Sequence, residues 1–264
     1  MEAIVFDVSD GIATLTFNRP AQKNAMDGVM KEEIGEVIGR VRRDRDIRAL
    51  ILTGAGGAFC SGGDLRGIAA RDLDSEGWRN RMLDLHQWLA ELITLDRPVI
   101  AAVDGVAYGA GFSLALTADF ILATPRARFC MSFLRIGGVP DCGAFYTLPR
   151  IVGVQRAKEL MLSARELGAE EARQLGIVLE IHEVEQLMPR ALALAASFVG
   201  APPAAISLSK RALAASLGSD LQTMLELEAS GQSVAFGTAY HREAVARFGR
   251  KEAPLFQWPS NDQR

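Results

Sequence analysis

The sequence predicts an α/β protein that continues into a helical C-terminal region. Apolar runs typical of buried strands alternate with helical segments as far as about Ile181. Two of these runs, residues 49–53 and 98–103, lead into glycine-rich loops, as strands do before a helix. Beyond Glu183 only helical patterns follow. A chain of 264 residues is long enough for one domain with an extension, and we place a core at 1–195 and a helical region at 196–264.

The individual elements follow from local patterns. Residues 4–8 and 12–17 flank Asp10 and Gly11, which predicts a β-hairpin. Apolar side chains recur at helical spacing in the segments that we predict to be helices. These are residues 27–43, 78–94, 112–118, 184–199, 203–216, 221–236 and 239–248. The last four carry broad faces of Ala and Leu, which predicts contacts between copies of the chain.

Composition excludes several classes of protein. The net charge of −3 does not indicate a nucleic-acid-binding protein. The cysteines, Cys60, Cys130 and Cys142, have neither metal-ligand nor disulfide-framework spacing, so we expect no metal and a reducing, cytoplasmic location. No signal peptide and no membrane span are predicted, because no basic segment precedes an apolar run at the N-terminus and no apolar stretch is long enough.

The turn at residues 109–111, Gly-Ala-Gly, is the first feature that points to chemistry. The N–H groups at a helix start have no intrahelical acceptor, and small side chains let a ligand oxygen approach them. A phosphate-binding P-loop would continue with Lys-Ser/Thr, and a dinucleotide fingerprint would have glycine at Leu114, so neither nucleotide motif fits. The alternative interpretation is that the turn has small residues only so that the strand and the helix can pack closely.

A second glycine loop follows the strand at 49–53 and reads Phe-Cys-Ser-Gly-Gly-Asp-Leu over residues 59–65. Two strand-then-glycine units can aim two N–H donors at one oxygen atom. Two such donors define an oxyanion hole, which stabilises the negative charge that develops on a carbonyl oxygen.

With these motifs the chain resembles the crotonase superfamily, also called the enoyl-CoA hydratase/isomerase family. The resemblance rests on motifs in family order at residues 18–20, 23–26, 52–54, 59–65, 97–103, 105–111, 118–119, 148–150, 169–172 and 175–178. It implies a spiral of ββα units with two roughly perpendicular sheets and a C-terminal trimerisation region. It also implies an acyl-CoA thioester substrate, no separate cofactor because coenzyme A is part of the substrate, and a homotrimer or a dimer of trimers.

The resemblance also assigns roles to residues. The oxyanion donors would be the N–H groups of Gly63 and Ala110. The resemblance assigns substrate binding to Lys23, Ala25, Ser61, Asp64, Leu65, His86, Phe133, Val139, Phe248 and Lys251. Glu252 stands where a basic residue is common, which weakens the expected phosphate contact at the tail.

Both glutamates of the family's hydratases are missing, because Ser113 and Phe133 stand at their positions. Water addition needs an acid and a base, so hydration is disfavoured. Asp141 instead resembles the base of the Asp-dependent isomerases, such as the dienoyl-CoA isomerases and the ring-epoxide isomerase of aerobic phenylacetate breakdown. One carboxylate suffices to shuttle a proton between carbons, and apolar surroundings raise its pKa toward the useful range.

Other interpretations remain open. Asp141 could cap the helix that follows it, since Asp is a preferred N-cap. His86 resembles the general base of 4-chlorobenzoyl-CoA dehalogenase, so His86, Asp141 and Phe133 could support a covalent mechanism or hydrolysis; a histidine that only packs is the alternative. Two further alternatives are a hydratase or lyase with atypical acid–base groups and a non-catalytic homologue that binds CoA or RNA.

Overall fold

The structure, a computed structural model, describes residues 1–260. The strands are β1 (Ile4–Ser9), β2 (Ile12–Phe17), β3 (Ala49–Gly54), β4 (Val99–Val103), β5 (Val106–Tyr108), β6 (Phe120–Ala123), β7 (Arg128–Cys130), β8 (Glu166–Gly168) and β9 (Glu180–Ile181). The helices are α1 (Gly28–Arg43), α2 (Leu65–Ala69), α3 (Ser75–Ile93), α4 (Ala110–Ala115), α5 (Ala144–Ser163), α6 (Ala169–Gln174), α7 (Val184–Val199), α8 (Pro203–Ser216), α9 (Leu221–Phe236) and α10 (Ala239–Gly249). The α/β prediction is confirmed. Residues 261–264, the end of the predicted helical region, lie outside the described residues.

The strands form two sheets. The larger has six strands in the order β1-β2-β3-β4-β6-β9, antiparallel at the β1–β2 hairpin and parallel elsewhere. The smaller has three strands in the order β5-β7-β8. β4 and β5 are separated only by Asp104 and Gly105, so the chain passes from the large sheet to the small one immediately before the 109–111 turn. The glycine turn therefore lies at the carboxyl end of β5, a strand of the small sheet.

The centre of the large sheet is buried on both faces, which explains why its strands read as continuous apolar runs. In β3, Leu50 and Leu52 join the core that contains α1, whereas Ala49 and Ile51 face the core that contains α7. Successive strand side chains point to opposite faces, so one uninterrupted run serves both cores.

Two helices begin earlier than the sequence pattern predicts. α3 begins at Ser75, because the Asp74 side chain accepts a hydrogen bond from the N–H of Gly77 at 2.8 Å and caps the helix. α4 begins at Ala110, directly after Gly109, whose φ of +51° turns the chain from β5 into the helix. α5 is interrupted at Gly153, which has φ +75°.

The last helices differ from the rest of the chain in burial. α7 packs five buried residues on the large sheet, whereas α8, α9 and α10 contain no buried residue in the described part of this single chain. The predicted division after residue 195 falls inside α7, and it stays a prediction, as does assembly through the exposed Ala and Leu faces. Over residues 1–260 no single helix is long and apolar enough to cross a membrane. Helices α7 and α8 reach that length and apolar composition only when they are taken together, and they are bent by 110° relative to each other.

Candidate active site

The two glycine loops lie side by side. Cys60 pairs with Ala107, and the N–H of Tyr108 donates to the carbonyl of Cys60 at 2.9 Å. At Gly111 the backbones approach so closely that a Cβ would lie 2.1 Å from the Cys60 carbonyl oxygen. Glycine is therefore required at residue 111 for the loops to meet.

This contact brings two unused N–H groups together. The backbone bonds of the 62–64 segment run from Met26 N to Gly62 O and from Asp64 N to Met26 O, and they leave the N–H of Gly63 without an acceptor in residues 1–260. Ala110 is the first residue of α4, and its N–H likewise has no acceptor among these residues. A Cβ at Gly62 would lie only 3.7 Å from Ala110 N. Adjacent donors without acceptors can stabilise an oxyanion.

Asp141 supplies a carboxylate with an unused oxygen. Its Oδ1 atom is buried and has no hydrogen-bond partner among the described residues. Burial raises the pKa of the Asp141 carboxyl, and this shift is opposed by a hydrogen bond from Cys142 and by the positive charges of Lys31, Arg81 and His86. A raised pKa and a free oxygen suit a group that accepts and returns a proton.

The capping alternative for Asp141 is wrong. Gly143 is the N-cap of α5, it has φ +78°, and α5 receives no side-chain cap. Asp141 contributes only its backbone carbonyl, which accepts from the N–H of Ala144 at 3.1 Å. The carboxylate is therefore not needed to satisfy the helix.

Cys142 connects Asp141 to the second glycine loop, at residues 59–65. It is fully buried with φ +49°, and it lies close enough to Cys60 for the two thiols to interact electrostatically. Burial raises the pKa of Cys60 to about 12, so this thiol stays protonated at neutral pH. The three cysteines are free and buried, and no group of three or more His, Cys, Asp or Glu within residues 1–260 could hold a metal.

The residues at the two hydratase positions have other roles. Ser113 is fully buried, and its Oγ donates to the carbonyl of Gly109 at 3.2 Å. The Phe133 ring lies against the turn, with its Cζ 3.8 Å from where a Cβ of Gly109 would be. Ser113 therefore supports the start of α4, and Phe133 places an apolar wall beside the Ala110 amide.

His86 and Val139 border the site from the outside. Both are exposed, His86 on α3 and Val139 two residues before Asp141. His86 acts on Asp141 through its charge, and no hydrogen bond joins the two side chains among the described contacts. A covalent mechanism that uses His86 as a base gains no support from a direct contact.

The predicted CoA residues surround the Gly63 loop. The carbonyl of Lys23 accepts from the N–H of Ser61 at 2.9 Å, Ala25 follows in the same turn, and Leu65 is exposed at the start of α2. Asp64 caps α2 through Oδ1 and accepts from Arg19 through Oδ2 at 3.2 Å. Backbone hydrogen bonds from Gly67 and Arg66, together with Arg19, lower the pKa of Asp64. Both carboxylate oxygens of Asp64 thus accept hydrogen bonds within the protein, and these bonds hold the loop in place.

The structure does not bring Phe248 and Lys251 to these loops. Phe248 is 85% exposed on α10, and Lys251 follows in an exposed turn. Within residues 1–260, no hydrogen bond or ion pair joins α10 to the loops at 23–26, 59–65 or 109–111. The predicted substrate contacts of these two residues stay predictions.

Sequence analysis missed Arg19 and the cations near Asp141. Arg19 forms ion pairs with Asp27 at 3.1 Å and Asp64 at 3.2 Å, which are the N-caps of α1 and α2. Lys31 and Arg81 interact electrostatically with Asp141. The available signal was the spacing of Lys31 between two helix glycines, which indicates a close contact on that face.

Comparisons with known proteins agree with this architecture. The family model for Enoyl-CoA hydratase/isomerase matches residues 7–259. The chain is 37% identical over 261 residues to 1,2-epoxyphenylacetyl-CoA isomerase of Escherichia coli K12, covering 97% of this chain and 98% of that protein. It is 38% identical over 253 residues to a probable enoyl-CoA hydratase of Rhodobacter capsulatus, covering 96% and 97%. A crystal structure of an enoyl-CoA hydratase/isomerase from Cupriavidus metallidurans CH34 matches with a TM-score of 0.95 at 46% identity, over 99% of both chains.

The chain therefore belongs to the enoyl-CoA hydratase/isomerase family, the crotonase superfamily. It is an acyl-CoA enzyme with the fold of that family, as the sequence motifs predicted.

Proposed function

We propose that this enzyme isomerises an unsaturated or ring-derived acyl-CoA, with Asp141 moving a proton between two carbons of the acyl group. The observation that carries the proposal is the buried Asp141 oxygen without a partner among residues 1–260. The adjacent, acceptor-free N–H groups of Gly63 and Ala110 supply the complementary half of the chemistry.

The reaction is a proton shift that consumes no water. The Asp141 carboxylate removes a proton from the carbon α to the thioester carbonyl. The electron pair of that C–H bond forms a double bond to the carbonyl carbon, and the C=O π electrons move to the thioester oxygen. The N–H groups of Gly63 and Ala110 donate hydrogen bonds to the resulting enolate oxygen. Asp141, now a carboxylic acid, returns the proton to a different carbon as the thioester carbonyl re-forms.

The residues at the hydratase positions support isomerisation over hydration. The hydroxyl of Ser113 is buried and already donates to Gly109, and Phe133 has no acid or base to offer. A water molecule would have Asp141 as its only nearby carboxylate among the positions that the family uses. One carboxylate serves a proton shuttle, whereas water addition needs a base and an acid together.

The remaining expectations complete the proposal. The substrate's coenzyme A would lie along Lys23, Ala25, Ser61 and Leu65, and the reaction needs no separate cofactor. We also expect a homotrimer or a dimer of trimers, in the cytoplasm. The name of the Escherichia coli relative, an acyl-CoA isomerase, supports the isomerase assignment.

A comparison of two reactions tests the proposal. The enzyme is incubated in D₂O with 3-enoyl-CoA thioesters and with crotonyl-CoA, and deuterium incorporation, double-bond position and hydration are followed by NMR and absorbance. We expect deuterium exchange and isomerisation of the 3-enoyl substrates with negligible hydration of crotonyl-CoA. Robust hydration without exchange on any 3-enoyl thioester would contradict the proposal.

A further inference from the structure

Three cations without a carboxylate partner interact with one another, and two of them, Lys31 and Arg81, also act electrostatically on Asp141. We call Lys31, Arg71 and Arg81 the cation cluster. Within residues 1–260, none of the three forms an ion pair with a carboxylate at 4.0 Å or less. The two acidic residues that cap the nearby helices, Asp27 and Asp64, are both paired with Arg19.

The position of the cluster follows from the packing of α1 against α3. Gly28, Lys31 and Gly35 are spaced by three and four residues, so they share one face of α1. A Cβ at Gly35 would lie 3.1 Å from the ring of Trp88, and a Cβ at Gly28 would lie 3.9 Å from Arg71 Nη2. Lys31 therefore lies on the face of α1 that meets Arg71 and the α3 residue Trp88.

Arg81 approaches the same place from α3. It lies seven residues before Trp88, which is two turns along the same face. Its guanidinium is stacked at 5.4 Å over the ring of Trp78, one turn earlier. The cluster thus has two members fixed by helix packing and one, Arg71, at the exposed edge.

The cluster costs free energy as it stands. Lys31 is partly buried, and burial, followed by repulsion from Arg81, lowers the pKa of its ammonium group. Repulsion between Arg71 and Arg81 adds to this cost. The Asp141 carboxylate favours the charged form of Lys31, but one carboxylate does not balance three cations. A neutral acyl group would leave this excess positive charge uncompensated.

We propose that the acyl group of the substrate carries a carboxylate, which the cation cluster binds on the far side of Asp141 from the thioester. This inference rests on the proposed function, because it places the acyl chain beside Asp141. A carboxylate there accepts charge-assisted hydrogen bonds from Lys31 and Arg81 and neutralises the cluster. Lys31 and Arg81 are then residues that determine specificity, in addition to any effect on the charge of Asp141.

Binding of unreactive analogues tests the proposal independently of catalysis. Succinyl-, glutaryl- and adipyl-CoA are each compared by calorimetry with the methyl-terminated thioester of equal chain length, butyryl-, pentanoyl- and hexanoyl-CoA. We expect at least one dicarboxylic analogue to bind roughly 10- to 100-fold more tightly than its counterpart, as one charge-assisted hydrogen bond would provide. Asp141→Asn, which removes the competing carboxylate charge, should preserve or increase this ratio.

Substitutions assign the preference to the cluster. Lys31→Met and Arg81→Met should each reduce the affinity ratio to near one, whereas Arg79→Met should keep it. Arg79 is exposed on α3 and loses the same charge, so it controls for a general effect of net charge. Circular dichroism and the affinity for free CoA show whether each variant is folded. If only one of Lys31→Met and Arg81→Met folds, that variant alone still tests the proposal.

Two results would overturn the proposal. An affinity ratio near one in both the parent enzyme and Asp141→Asn would mean that the cluster serves only Asp141. A preference that survives in Lys31→Met and Arg81→Met would mean that the carboxylate binds elsewhere. Failure of the proposed function has a different signature, namely absence of Asp141-dependent deuterium exchange whatever the affinity ratio.

Discussion

The candidate site has a backbone half and a side-chain half. In the backbone half, Gly63 and Ala110 contribute main-chain N–H groups whose positions are fixed by the backbone hydrogen bonds around them. In the side-chain half, Asp141 contributes a carboxylate whose charge is disfavoured by burial and favoured by nearby cations. The backbone half of the site does not depend on which small side chain residue 110 carries, but it depends strongly on the path of the chain. The side-chain half depends on the chemistry of the Asp141 side chain. Substitutions that keep one property and remove the other therefore distinguish the two halves.

The largest expected effect is on the side-chain half. Asp141→Asn keeps the size of the side chain and removes its basicity, so we expect kcat to fall by ~10²–10⁴, the usual contribution of a positioned acid or base. Steady-state kinetics of isomerisation measure it, with Asp84→Asn, an exposed position on α3, as the matched control. Near-normal turnover in Asp141→Asn would assign the base to another group.

A somewhat smaller effect tests the backbone half. Ala110→Gly keeps the N–H and should remain active, whereas Ala110→Pro removes the donor and should lower kcat by ~10²–10³. Proline also fixes φ, so circular dichroism and oligomer size are compared alongside the kinetics. Parental turnover by a folded Ala110→Pro variant would show that the thioester oxygen does not bind at the start of α4.

Crowding the backbone half should destabilise the protein even though no functional group changes. In Gly111→Ala the new Cβ would lie 2.1 Å from the Cys60 carbonyl oxygen, so the two loops have to separate. We expect the free energy of unfolding in urea to fall by about 1–3 kcal/mol or more. Gly200→Ala is the control, since no atom lies within 4 Å of its Cβ position. Equal stability of the two variants would mean that the loops can separate at no cost.

The smallest effect is the pH dependence of stability. The pKa of Asp141 is higher in the folded than in the unfolded state, so stability falls as the pH rises from the unfolded-state pKa through the folded-state pKa. Asp141→Asn should therefore unfold at a higher urea concentration than the parent at pH 8, and the difference should shrink as the pH falls. A constant difference across pH would indicate a packing effect instead.

Local patterns predicted the strands at 4–8, 12–17, 49–53 and 98–103 and the two glycine loops, because apolar runs and glycine turns carry their own signal. Asp141 came from the family resemblance, and its suggested capping role was wrong because Gly143, with positive φ, starts α5 without a side-chain cap. The cation cluster and the Arg19 ion pairs could not be predicted, since they depend on packing between segments far apart in the sequence. The two glycines that flank Lys31 on α1 indicate a close contact on that face, but they do not indicate which segment packs there.

Arg19 links three segments of the candidate site. Its guanidinium binds the N-cap residues Asp27 and Asp64 and also donates to the carbonyl of Ala25. The turn that carries Ala25, the start of α1 and the start of α2 therefore cannot shift relative to one another without breaking a bond to this one side chain. Arg19 therefore holds the turn, the loop that carries Gly63 and α1, the helix that carries Lys31, as one unit.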